Sequence, residues 1–180
     1  MLKRFLHGRI AAMAGSYGYD AGYMHEILDA SLTAFLKFGL FQIMSDHRDR
    51  LPKDAWYAAK LAAALSEDCG PCSQLVVDMA LRDGVASSAI AALLRDDMGG
   101  AGDDASLGFR YGRAVARNGI DCVTLAEEAE KRFGKRGLVS LDFAVACSRV
   151  YPTLKRGLGH GAACTKITVS NETIAMKHAA

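Results

Sequence analysis

Apolar and polar positions alternate along most of this chain with a helical period. From Tyr19-Asp20 to about Gln42, Tyr23, Ile27, Ala30, Ala34 and Phe38 recur at spacings of three and four. That spacing predicts one helix, with Asp20 as its N-cap. Ser45 to Leu51 is polar and reads as a loop. Pro52 then opens a second helix, with Asp54 near its positive end. Alanines at 58, 59, 62, 63 and 64 make this a strong helix former that permits close packing. Trp56, Ala59, Ala63 and Ser66 mark one face of it; Tyr57, Lys60, Leu61 and Ala64 mark the next.

The pattern continues downstream. A helix from about Cys72 to Arg82 stops at Gly84, and Ser87-Ser88 is read as the cap of a short helix through Leu94. Met98 to Asp104 is glycine-rich and reads as a loop. Leu107 to Arg117 is helical, and Asn118-Gly119 is a turn. Thr124 and Glu127 have capping-box spacing in a helix that Gly134 closes. A long apolar helix runs from Gly137 to about Arg156, with Pro152 as a possible kink. Only Ile167-Thr168-Val169 has strand composition, and it is too short to found a sheet. The expected fold is all-α. A helical segment 1–52 packs on a helical domain 53–165, and 166–180 is a weakly ordered or partner-packing tail.

Composition narrows the class. Of 180 residues, 51% are hydrophobic and 23% charged, enough for a sizeable core. A net charge of +2 with no basic cluster argues against nucleic-acid binding. The basic start, Met1 to Arg9, is not followed by a signal-peptide apolar run, and no segment approaches the roughly 20 apolar residues that span a bilayer. Five cysteines, an odd number, with Cys122, Cys147 and Cys164 far apart, fit a reducing compartment. These features lead us to expect a soluble, cytoplasmic protein with no membrane partner.

The candidate chemistry is Cys69-Gly70-Pro71-Cys72. Two thiols at this spacing on the first turn of a helix can reach disulfide distance, and the helix N-terminus stabilises a thiolate. A redox pair is the leading reading. A structural pair and half of a metal site are the alternatives, although no second Cys-x-x-Cys or close His pair completes four ligands. Glu67 could carry a proton or simply cap a helix; its charge opposes thiolate formation. Tyr57 and Lys60, one turn apart, could face the dithiol, Lys60 lowering a thiol pKa and Tyr57 donating to sulfur, or could serve packing and solvation. No flavin, haem or nicotinamide motif occurs, so no cofactor is expected.

Cys-Gly-Pro-Cys is also the thioredoxin string, but there it follows a buried strand, and here it follows an alanine-rich helix. The run from Trp56 to Leu75 resembles the alkylhydroperoxidase D (AhpD) / carboxymuconolactone decarboxylase superfamily instead. Ala80-Leu81-Arg82-Asp83-Gly84-Val85 with Ile90 to Leu93, and Arg132 to Val139, resemble later words of that family. The resemblance spans about residues 54–160. It implies an all-α bundle with the Cys-x-x-Cys at the start of a central helix, and a homo-oligomer. It also implies antioxidant peroxidase activity. Cys72 would attack a hydroperoxide, Cys69 would resolve the sulfenic acid, and a thiol reductant protein or lipoyl-type dithiol would reopen the disulfide. The family's relay His, four residues after the second Cys, is Val76 here; its Glu, twelve before the first, is Tyr57. A thiol–disulfide exchange or redox-sensing module, or a non-catalytic oligomeric helical scaffold, is therefore the alternative.

Overall fold

The computed structural model describes residues 1–176; the last four positions of the predicted tail lie outside the described residues. Among the described residues the chain is all-α apart from one short hairpin. In order it forms α1 (Leu2–Tyr17), α2 (Gly22–Ala30), α3 (Leu32–Phe38), α4 (Leu40–Ser45), α5 (Lys53–Ser66), α6 (Gly70–Arg82), α7 (Ser87–Leu94), α8 (Met98–Ala101), α9 (Asp103–Arg117) and α10 (Cys122–Gly157). The hairpin strands β1 (Lys166–Val169) and β2 (Glu172–Ala175) follow. No helix among the described residues is long and apolar enough to cross a membrane.

Helix α5 is the axis of the fold, and every residue from Ala55 to Ala64 is buried. A helix apolar all round belongs inside a bundle. Its alanines let α9 approach to backbone contact. A Cβ on Gly108 would overlap the Ala55 carbonyl oxygen, and one on Gly112 would lie 2.7 Å from the Ala59 carbonyl oxygen. Helices α6 and α10 complete the surround. The alanine faces are thus consumed within the chain. The exposed apolar side chains lie elsewhere and include Leu36, Leu40 and Ile43.

Several local expectations are corrected. The stretch after Asp20 is three helices rather than one. Ser31 turns extended, and its hydroxyl accepts from the Ala34 N–H at 3.1 Å, capping α3. Local capping wins over period here. Asp20 does accept the Gly22 N–H, at 2.9 Å. Within the helical segment 1–52, the first 17 residues, where the sequence delimits no particular helix, include α1. The glycine-rich loop contains α8, held by Asp97, whose side chain accepts from the Gly100 N–H at 3.0 Å. Neither Ser87-Ser88 nor the Thr124/Glu127 pair caps a helix. Ala86 and Asp121 occupy those N-cap positions without side-chain hydrogen bonds. Gly134 interrupts α10 at φ 72° and ψ 171°, which only glycine adopts without strain.

The described part of the tail segment carries the hairpin. β1 and β2 pair antiparallel, Ile167 opposite Ile174, around a turn at Ser170-Asn171. Ile167, Val169 and Ile174 are buried, so the hairpin gains from the helices what two strands lack alone. Gln74 of α6 clamps it. Its amide donates to the Thr168 carbonyl at 2.9 Å and accepts from the Thr168 N–H at 2.8 Å.

Candidate functional site

The dithiol sits where the sequence puts it, at the start of α6. Cys69 is the N-cap residue, in extended conformation, and Pro71 lies in the first turn, where its missing N–H costs nothing. Cys69 and Cys72 form a disulfide with Cα atoms 5.3 Å apart. Both are buried, at 4% and 6% exposure. The glycine between them answers a packing demand. Gly70 N–H donates to the Ala162 carbonyl at 3.1 Å, and a Cβ on Gly70 would lie 2.8 Å from the Ala163 carbonyl oxygen. The strand-ward chain therefore passes directly over this turn. Cys164 N–H fastens it by donating to Asp68 Oδ1 at 3.0 Å.

On the other side of Cys72 lies a cavity of about 290 Å³. Its walls come from α5 (Tyr57, Lys60, Ala64), α6 (Cys72, Leu75, Val76, Met79) and α10 (Ser148, Tyr151). The N-terminal segment closes it with Met13, Tyr17, Tyr19, Tyr23, Met24, Gln42 and Ser45. Three of the five residues singled out from the sequence, Tyr57, Lys60 and Cys72, thus meet in one cavity. Cys69 and Glu67 are not among its lining.

Lys60 is buried, at 5% exposure. Its Nζ donates to Ser45 Oγ at 3.0 Å and stands 3.6 Å from the Trp56 ring centroid. Trp56 is fixed in turn, its indole N–H donating to the His47 carbonyl at 3.1 Å. Burial lowers the Lys60 pKa to about 8, against the opposing pull of Asp46 and of Cys147. Tyr57 moves the other way: burial, then the charge of Asp83, raises its pKa to about 12, so it stays a hydrogen-bond donor. Tyr23, fully buried, and Tyr151 have hydroxyls without a hydrogen-bond partner among the described residues. Tyr19 and Ser45 lie near them without hydrogen-bond geometry.

Glu67 is committed elsewhere. Arg149 Nε holds Oε1 at 2.7 Å and Arg156 holds Oε2 at 2.8 Å, while Arg156 also donates to the Glu67 carbonyl at 3.0 Å. Burial pushes its carboxyl up, but the two guanidiniums outweigh that and hold it below the usual carboxylate range. A carboxylate so held is a weak proton acceptor. Its evident work is to tie the end of α5 to α10. His160, just after α10, pairs with Glu26 at 2.9 Å and does not line the cavity.

No protein-family model matches this chain, and no curated protein and no solved structure matches it either. The site must therefore be read from its own chemistry. Sequence reasoning missed the tyrosines at 17, 19, 23 and 151 and both serines, because they are spread over more than a hundred residues. Tyr17, Tyr19 and Tyr23 did carry a signal, being three tyrosines within seven residues where a helix starts.

Proposed function

We propose that this protein is a dithiol oxidoreductase of AhpD-like chemistry, which reduces a hydroperoxide through a Cys69/Cys72 thiol–disulfide cycle. The observation that carries the reading is the asymmetry of the pair. Cys72 faces the cavity, and Cys69 sits behind it within disulfide reach. That is the arrangement wanted of an attacking and a resolving thiol.

In the reduced protein the Cys72 thiolate attacks the terminal peroxide oxygen. An S–O bond forms, the O–O bond breaks, and the alkoxide leaves with the electron pair. With a pKa near 8, Lys60 is roughly one-tenth neutral at pH 7. The neutral amine can take the Cys72 proton, and the ammonium so formed can protonate the leaving alkoxide. Tyr57 offers a hydrogen bond to the peroxide. Lys60 and Tyr57 thus take up the work of the His and Glu that the family keeps at positions 76 and 57. Cys69 then displaces water from the Cys72 sulfenic acid, closing the disulfide. Two electrons from a dithiol reductant reopen it. Because both sulfurs are buried, a slender lipoyl-type arm suits the second half-reaction better than a flat protein surface.

The test is peroxide titration of the reduced protein with sulfenic-acid trapping and mass spectrometry. Wild type should consume one peroxide per disulfide formed, Cys69→Ser should accumulate sulfenic acid at Cys72, and Cys72→Ser should consume none. Unchanged turnover in Cys72→Ser would overturn the reading. A second reading, thiol–disulfide exchange without peroxidase activity, is favoured by Val76 and Tyr57 at the relay positions. It expects the disulfide to equilibrate with a dithiol buffer while peroxide is left untouched.

A further inference from the structure

The cavity beside Cys72 has the features of a binding site for an anion with an apolar body. Among the described residues Lys60 is the charged side chain in its lining, and no carboxylate lines it. Among the described residues no carboxylate lies within ion-pair distance of Lys60 Nζ; its partners are the Ser45 hydroxyl and the Trp56 ring. Asp46 acts on Lys60 only from beyond ion-pair distance, and a buried cation without a paired counter-charge is costly to keep. Tyr23 Oη and Tyr151 Oη are buried donors with nothing to donate to among the described residues. These groups are neighbours: Ser45 adjoins both Lys60 and Tyr151, and Tyr151 adjoins Tyr23. The remaining wall is largely apolar, with Met13, Met24, Leu75, Val76 and Met79. At about 290 Å³ the space lies near the lower end for small-molecule pockets, about 300 Å³.

We propose that this cavity binds a small monocarboxylate with an apolar chain, its carboxylate held by Lys60 and the tyrosine hydroxyls of 23 and 151, its chain against the methionines of α1, α2 and α6. The ammonium supplies the counter-charge, and a carboxylate has lone pairs enough for both hydroxyls. An uncharged molecule of the same shape would fill the apolar part but leave the cation and the donors unanswered, and this is where discrimination arises. The proposal concerns binding alone. It stands or falls with the disulfide closed and no peroxide present, independently of the redox reading.

The experiment is calorimetric titration of the oxidised full chain with octanoate and, separately, with 1-octanol at pH 7. Octanoate should bind saturably at one per chain, at least tenfold tighter than 1-octanol. Lys60→Met should lose at least tenfold for octanoate and leave 1-octanol unaffected. In wild type the octanoate affinity should fall between pH 7 and pH 9 as Lys60 gives up its proton; Asp46 and Cys147, the ionisable groups acting on it, do not reverse that direction. Octanol binding as tightly as octanoate, no saturable octanoate binding, or an unaltered affinity in Lys60→Met would each overturn the proposal. The octanoate-to-octanol ratio needs no variant, so a misfolded substitution does not blunt the test.

Discussion

Helix α5 presents two faces that were built to opposite standards. Toward α9, Ala55 and Ala59 meet Gly108 and Gly112 so closely that no side chain fits between the backbones. Toward the N-terminal segment, Tyr57, Lys60 and Ala64 of the same helix border a cavity of about 290 Å³ that holds a buried cation and hydroxyls lacking partners. Protein interiors are ordinarily close-packed and their polar groups satisfied. The seam obeys the first rule; the hollow face breaks both within a helical turn. The closely packed seam lies behind a face that is hollow and polar, and Cys72 opens onto the hollow side.

The seam is where the comparison breaks most violently. Gly108→Val would drive a branched side chain into the Ala55 carbonyl and force α5 and α9 apart. We expect a loss of roughly 3 kcal/mol or more, read as a drop in the urea midpoint or as failure to fold. A loss under about 1 kcal/mol would mean that the seam yields, and the contrast between the two faces would go with it.

How far the sequence disclosed each face follows from how local its signals are. The alanine run of α5, the helical start at Cys69 and the stop at Gly84 are written in adjacent residues, and the all-α reading rests on them. Gly108 and Gly112 read simply as residues of a helix until α5 is laid against them. The hairpin escaped because each strand has four residues and depends on α6 and Gln74 for its place. Glu67 looked free to carry a proton because its arginines lie 82 and 89 residues away. The cavity is the least local feature of all. It needs α1, α2, α4, α5, α6 and α10 at once, whereas Cys72, Lys60 and Tyr57 could be singled out because they lie within sixteen residues of chain.

On the hollow face the largest single cost is Lys60. Its folded pKa is about 8, below the ordinary 10.5 of an unfolded lysine. Between those values the unfolded chain holds the extra proton, so stability rises with pH across that window; below pH 8 the penalty is present in full. Lys60→Met should therefore stabilise the protein by about 2 kcal/mol at pH 7. The advantage should shrink steadily toward pH 10. The tyrosines, whose pKa values burial raises, ionise above that range in the folded state of both proteins and cancel from the difference. Denaturation of the two proteins at pH 7 and pH 10 measures it. A variant less stable than wild type at pH 7 would show that the Trp56 and Ser45 contacts outweigh burial, and that this face is satisfied after all.

The smallest expected effect separates the faces most finely. Tyr23 is completely buried and its hydroxyl donates to nothing among the described residues. Its ring also meets Phe38 edge-on, with centroids 6.2 Å apart, a contact that phenylalanine would keep. Removing an unsatisfied buried hydroxyl while preserving shape returns its desolvation cost, so Tyr23→Phe should raise stability by about 1 kcal/mol. In a chain of this size that is a rise of roughly 2–4 °C in Tm. The same change should weaken octanoate binding, because the donor lost is one that the carboxylate would use. A residue whose removal strengthens the fold and weakens the ligand is held for the ligand. If Tm instead falls by a similar amount, the hydroxyl already has a partner in solution, and the hollow face of α5 is as well satisfied as the seam behind it.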